Sequence, residues 1–218
     1  ICWGEWTLVA RTRMRRVKHG VARLVAREVG GATTLTSVSH RQPARLLPID
    51  SEPTRAAGAA LCSLGSFGGG ILSGDRIDLE VECKARATLC VNTLASTNVY
   101  RKRSSVGGAC KVEGDQLSRQ TVVARVERDA LLVVAPDPVV PFTSSSFSSS
   151  QDFNIQKGGS LVSVDWSTSG RYMNGERWQF DRYTSQTRVF VGSPNEDLEV
   201  PMQGTPTIVD SLDLERTQ

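Results

Sequence analysis

GGGILSGDRIDLEVECK, residues 68–84, decides the fold class. Three glycines open the stretch and a strict two-residue alternation completes it. Ile77, Leu79, Val81 and Cys83 fall on one side, and Arg76, Asp78, Glu80, Glu82 and Lys84 on the other. Successive side chains of an extended chain point to opposite faces, so the pattern predicts a strand with one face buried and one in water. Shorter strand-like runs lie on both sides of it. Towards the N-terminus, the apolar residues 59–64 lead into the glycine turn. Residues 33–39 (TTLTSVS) are β-branched and strand-like, and Pro43, Pro48 and Pro53 punctuate a loop between these two runs. Residues 21–29 (VARLVAREV) fit a strand hairpin or a short amphipathic helix equally, and Gly30-Gly31 ends them.

Towards the C-terminus, residues 88–93 (TLCVNT) form the next strand. Residues 120–126 and 130–135 read as the two arms of a hairpin, with Glu127-Arg128-Asp129 at its turn. Asp137-Pro138 and Pro141 end that run. Residues 161–166 and 187–191 are further strands. Between them, residues 144–150 (SSSFSSS) have the composition of a flexible linker or an ordered loop. Apolar runs flank that segment on both sides, so it marks no domain boundary. Short strands separated by Gly, Pro and Ser turns predict an all-β (mainly β) core with few short helices.

The chain has 218 residues, of which 39% are hydrophobic and 22% charged, as in a globular protein. No stretch of about 18 apolar residues occurs, which excludes a membrane-spanning helix. The net charge of +3 is unevenly placed: Arg11, Arg13, Arg15, Arg16 and Lys18 precede His19, with Glu5 the single acid there. The remainder holds 21 basic and 22 acidic residues, a balance that makes no case for nucleic acid. Residues 1–18 therefore read as an atypical leader, either an extension or an Arg-rich targeting peptide. Residues 19–218 read as a single β domain. Cys2, Cys62, Cys83, Cys90 and Cys110 are scattered, odd in number and without a CxxC pair, which fits a reducing cytosolic compartment.

The chain contains two histidines, His19 and His40, and no GxSxG elbow, HExxH or CxxC. A Ser-His-Asp hydrolase and a zinc enzyme both lack their parts. Gly69 and Gly74 have the spacing of a phosphate loop, but Asp75 stands where a lysine must meet the phosphates. The glycines read instead as a tight turn, or as a place where another backbone comes close. Tyr100-Arg101-Lys102-Arg103 is a basic patch with a single aromatic, too little for a nucleic-acid surface. Asp75, Asp137 and Glu176 each sit beside glycine or proline. Carboxylates of this kind hold a divalent ion weakly, or they cap turns and pair with Arg76, Arg171 or Arg177.

Several separated segments resemble one family in the right order. HGVARLVAREVGGATTLTSVSHRQPARLLP (19–48), GGGILSGDRIDLEVE (68–82) and TLASTNVYR (93–101) are similar to the opening, the glycine turn with its long strand, and the Tyr-Arg strand end of the UreD (UreH) urease accessory proteins. LLVVAPDPVVPF (131–142) and SVDWSTSGRYMNGERWQF (163–180) resemble the eukaryotic, plant-like branch, and Gly170-Arg171 through Gly175-Glu176 matches the family's GR…GE signature. TPTIVDSLDLE (205–215) resembles a later Asp-Leu strand. There are two departures. SSSFSSSQ replaces an Ala-Arg-Tyr-Gln-like segment, and the chain stops at Gln218 where family members run on, so the resemblance implies a C-terminally truncated product.

The resemblance implies a helix-like coil of strands and a non-enzymatic chaperone subunit. Such a subunit binds urease apoprotein and the accessory proteins F and G, and helps deliver nickel to the urease active site in the cytoplasm. Nickel is then cargo in transit, with no tightly bound cofactor and no nucleic-acid or membrane partner. An internal polar path is implied, with Asp75, Asp137 and Glu176 along it. A passing ion needs weak oxygen ligands that let it leave again. The alternative is a β-rich carbohydrate- or protein-binding module with no metal role, which explains the strand pattern but not the ordered motifs.

Overall fold

The structure, a computed structural model, describes residues 19–102, 116–192 and 205–216. The leader expected over residues 1–18, with Cys2, lies outside them, as do Arg103 and Cys110. The chain opens with strands β1 (His19–Val29), β2 (Ala32–His40) and β3 (Ala44–Ile49), a short helix α1 (Glu52–Ala56), and β4 (Ala60–Ser66). It then winds through β5 (Arg76–Cys83), β6 (Thr88–Thr93), β7 (Thr97–Val99), β8 (Ser118–Val126), β9 (Leu131–Val134), β10 (Val139–Pro141), β11 (Ser146–Ile155) and β12 (Ser160–Ser163). A 3₁₀ turn (Tyr172–Asn174) precedes β13 (Arg182–Val191) and β14 (Ile208–Glu215).

These elements make a helix-like coil of strands, as the resemblance implied. A seven-stranded sheet runs β14-β13-β11-β8-β5-β1-β2 and a five-stranded sheet β12-β9-β6-β4-β3, while β10 and β7 form a short third ladder. The chain visits the sheets in turn, so neighbours within each sheet come from successive windings and pair in parallel: β5 with β8, β8 with β11, β4 with β6, β6 with β9, and β7 with β10. Antiparallel hairpins, β1–β2 and β13–β14, close the ends of the large sheet. Each winding cannot bury its apolar face alone and does so against the next.

The alternation in β5 is realised as read: Ile77, Leu79, Val81 and Cys83 are all buried, while Arg76 and Glu80 are exposed. They meet Leu24 of β1, Leu89 of β6, Ala124 of β8, Leu132 of β9 and Phe153 of β11 in one continuous core. Cys62, Cys83 and Cys90 are free thiols, and burial pushes the first two up to about 11, so they pack as small apolar groups. The ambiguous residues 21–29 are a strand, paired in parallel with β5 on one side and with β2 on the other.

Several expectations are corrected. The proposed hairpin does not form: β8 lies in the large sheet and β9 in the five-stranded one. The turn between them is real, with Ala130 N–H donating to Glu127 O at 3.2 Å, but it carries the chain around the edge of the sandwich. Alternation reports which face is buried and says nothing about the partner strand. The proline loop is also partly wrong, since Ala44–Ile49 is strand β3. Pro48 is accommodated there because β3 is the edge of its sheet, where a missing N–H breaks no ladder on the outer side. Finally, the serine run is neither a linker nor a loop. Most of it belongs to β11, which sits between β8 and β13 in the large sheet. The strand read at residues 161–166 is shorter than expected, ending at Ser163.

Candidate functional site

The short third ladder gathers the segments singled out in the sequence. Ile71 bridges Val99 in parallel, and Val99 in turn pairs with Pro141. This brings the glycine turn, the Tyr100 strand end and the Pro141-Phe142 segment into one stack. Gly70 is the point of close approach: a Cβ there would stand 2.5 Å from Asn98 O and 2.6 Å from the Tyr100 ring. Both readings of the glycines hold, since Gly69 and Gly74 take left-handed φ values of 74° and 78° to make the turn.

Tyr100 packs edge-on against Phe142, with ring centroids 5.1 Å apart, and its hydroxyl donates to Gly68 O at 3.4 Å. The Arg171 guanidinium lies 4.3 Å from the Phe142 centroid. Arg171 then donates to both carboxylate oxygens of Glu176, with Nε to Oε2 at 2.9 Å. Thr143 N–H donates to the same Oε2 at 3.2 Å. A spine of Gly70, Tyr100, Phe142, Arg171 and Glu176 therefore runs across successive windings. All five of these residues lie in the motif segments read from the sequence. Sequence reasoning missed the packing of Phe142 and the role of the Thr143 backbone, for which the only signal was their place after Pro141.

The three carboxylates have different surroundings. Asp75 is buried and caps its own turn, accepting from Leu72 N–H at 3.1 Å. Glu176 is also buried, tied to Arg171 as above. Asp137 is exposed at the approach to β10, where its backbone N–H donates to Thr93 Oγ1 at 2.8 Å. Asp137 precedes the third ladder, while Asp75 and Glu176 lie beyond its far end, on the sides of Ile71 and Thr143 respectively. Among the described residues, no three His, Cys, Asp or Glu side chains come together as a metal site. Each of these groups thus has its own local partners, and among the described residues the three do not form a cage.

A cleft of about 180 Å³ is lined by Ile71, Ile77, Thr93, Asn98 and Gln120 among others, and by none of the three carboxylates. Ile71 and Ile77 flank the turn of Asp75, and Thr93 is the partner of Asp137. Further along the inner face of the large sheet the row of Gln120 continues into Ser149 and Ser185, with Gln151 beside them. Ser149, Gln151 and Ser185 are buried, and the Ser185 hydroxyl donates to Asp165. The interior is thus apolar through β1 and β5, while on β11 and β13 buried polar side chains lie between core residues such as Phe147, Phe153 and Tyr183. Neutral hydroxyls and amides in such a row satisfy one another and can also solvate a passing polar group.

Arg171, against the opposing effect of burial, holds the Glu176 carboxyl down at about 2, with help from Thr143. A depressed carboxyl stabilises the fold above its ordinary value of 4.5, and that contribution is lost as pH falls through the folded value of about 2. Acid titration over this window should loosen the 170–178 loop, read as a change in Trp178 fluorescence. Glu176→Gln should remove the part of the transition that belongs to this carboxyl. An identical transition in both proteins would show that another group drives it.

Comparison with known proteins bears on the whole chain. The family model described as UreD urease accessory protein matches residues 18–218. Urease accessory protein D of Arabidopsis thaliana is 37% identical over 170 residues, covering 78% of this chain and 54% of the relative. Urease accessory protein UreD of Sorangium cellulosum is 38% identical over 178 residues, covering 82% of this chain and 52% of the relative. Urease accessory protein D of Oryza sativa subsp. indica is 32% identical over 190 residues, covering 87% and 55%. The chain thus spans about half the length of these curated relatives.

Proposed function

We propose, since the chain belongs to the UreD family of urease accessory proteins, that it is a non-catalytic subunit in urease maturation. In this reading it binds urease apoprotein together with the accessory proteins F and G, and assists delivery of nickel to the urease active site. The observation that carries the reading is the family match over residues 18–218, with the matched motifs meeting in one spine. The described thiols, buried Cys62 and Cys83 and half-buried Cys90, are free, which fits work in the reducing cytoplasm. No described helix is long and apolar enough to cross a membrane.

Nickel is the cargo here. Asp75, Asp137 and Glu176 would offer it single oxygen ligands in sequence, and the amides and hydroxyls of the cleft would ease a hydrated ion. Oxygen donors hold a borderline divalent ion more weakly than a set of imidazoles and thiolates would, and weak holding is what transit requires. Activation of urease apoprotein by F, G and nickel should rise when the chain is added. The chain alone should hydrolyse neither urea nor GTP. GTP turnover by the purified chain, or activation indifferent to its presence, would overturn the reading and favour a binding module with no metal role.

A further inference from the structure

The turn that leads into Glu176 also carries a reactive dipeptide. Asn174 is followed by glycine, whereas Asn92, Asn98, Asn154 and Asn195 precede threonine, valine, isoleucine and glutamate. A glycine nitrogen has no side chain beside it to hinder attack on the preceding asparagine amide. Asn174 and Gly175 are both exposed, and a Cβ on Gly175 would meet nothing within 4 Å. Water and hydroxide therefore reach the pair. Among the described residues the Asn174 side chain makes no hydrogen bond, whereas those of Asn92, Asn98 and Asn154 are engaged by Ser63, Gly69 and Ala124.

The backbone of the same turn works against the reaction. Gly175 N–H, whose proton must leave, donates to Tyr172 O at 3.0 Å. Asn174 N–H and Glu176 N–H both donate to Arg171 O, at 2.9 and 3.2 Å. The 3₁₀ turn Tyr172–Asn174 has a helical ψ, which turns the Gly175 nitrogen away from the Asn174 side chain. Reaction then waits on opening of the turn, a local event that leaves the core folded. What holds the turn shut lies beneath it. Buried Glu176 accepts two bonds from Arg171 and one from Thr143 N–H, and the Arg171 guanidinium rests on the Phe142 ring.

We propose that Asn174-Gly175 is a self-modification site, deamidating without an enzyme at a rate set by the Glu176–Arg171 clamp. The Gly175 nitrogen gives its proton to a solvent base and attacks Asn174 Cγ. The Cγ–Nδ2 bond breaks, ammonia leaves with a proton from water, and a succinimide ring closes. Water then adds to either ring carbonyl and opens the ring, giving aspartate or isoaspartate at position 174. No oxidant or reductant takes part. Either product places a new carboxylate close in sequence to Arg171, Glu176 and Arg177. Isoaspartate also lengthens the backbone by a carbon, so the Gly175 N–H no longer meets Tyr172 O in register. The change is one-way, and it loosens the loop that the clamp had held.

Peptide mapping of the folded chain held at mildly alkaline pH tests it, because trypsin cuts after Arg171 and Arg177 and isolates residues 172–177. That peptide should accumulate the mass of the acid and an isoaspartyl form, while peptides carrying Asn92, Asn98 and Asn154 stay intact. In guanidinium the unfolded chain should convert at least about tenfold faster, since the turn no longer guards the nitrogen. Glu176→Gln removes the charge that holds Arg171 and should speed conversion in the folded chain about tenfold, the scale of a charge-assisted bond. Arg171→Lys keeps a charge but not the paired donation, and should act in the same direction. Val81→Ala weakens the core away from the loop and should leave the rate within about twofold. Asn174 left intact in the folded chain, over a period in which the unfolded chain converts, would overturn the site. Wild-type rates in Glu176→Gln and Arg171→Lys would overturn the clamp. Equal acceleration by Val81→Ala would overturn it too, by putting global unfolding in its place.

Discussion

Phe147→Ala should cost the fold about 3–5 kcal/mol, the range for emptying an aromatic site in a packed core. Phe147 is 1% exposed on β11. Its ring centroid is 5.9 Å from that of Tyr183, which is equally buried and in turn 6.0 Å from Phe180. The strand has parallel neighbours on both sides, β8 and β13, so the cavity cannot be filled by moving an edge. Burial also pushes the Tyr183 hydroxyl up to about 12, which marks the surroundings as poorly hydrated. Urea denaturation followed by circular dichroism measures the cost directly. Ser150→Ala, three residues on and facing outward, should shift stability by less than about 0.5 kcal/mol. A linker would make both changes neutral, so equal, small effects would remove β11 from the interior of the sheet.

That contrast shows what a sequence carries and what it does not. Residues 76–83 were legible because aliphatic and charged side chains alternate without exception there, and such alternation has one physical cause. Residues 144–150 were opaque because serine is indifferent to both sides of the pattern. Ser149 and Ser146 are buried while Ser148 and Ser150 are half-buried, yet all four read alike. A polar residue is tolerated inside where neighbours supply hydrogen bonds, as Gln151 does with Thr187 at 3.5 Å. Partner strands were illegible for a different reason. The face a residue buries is a local property, whereas β9 pairs with β6 and β12 because of how whole windings stack. The candidate site shares this limit. Glycine and proline neighbours correctly located Asp75 and Glu176 in turns, and Arg171 was among the partners expected for Glu176. Which turns lie side by side depends on the coil's pitch, which no local pattern encodes.

For the nickel path, Asp75→Asn combined with Glu176→Gln should lower urease activation at least about tenfold, the scale seen when a metal site loses a supporting partner. The isosteric pair is needed because each carboxylate also has structural work. Glu176→Ala would leave Thr143 N–H without its acceptor and Arg171 without its partner, a cost of about 1–3 kcal/mol. An exposed pair would be worth at most about 1 kcal/mol, but this carboxylate is buried. Glutamine keeps an amide oxygen for Thr143, and asparagine keeps one for Leu72 N–H, so the turns survive while both negative charges disappear. The two roles then separate. If the carboxylates serve only the fold, activation follows stability, and a double variant that melts near wild type activates near wild type. If they carry nickel, activation falls by more than the lost Arg171 pair lowers the melting point, urease capture holds, and raising nickel restores part of the loss, since a weakened site fills again by mass action. Activation within about twofold of wild type, in a variant shown to be folded and bound to urease, would remove Asp75 and Glu176 from the route of the metal and leave Asp137 without a ladder to belong to.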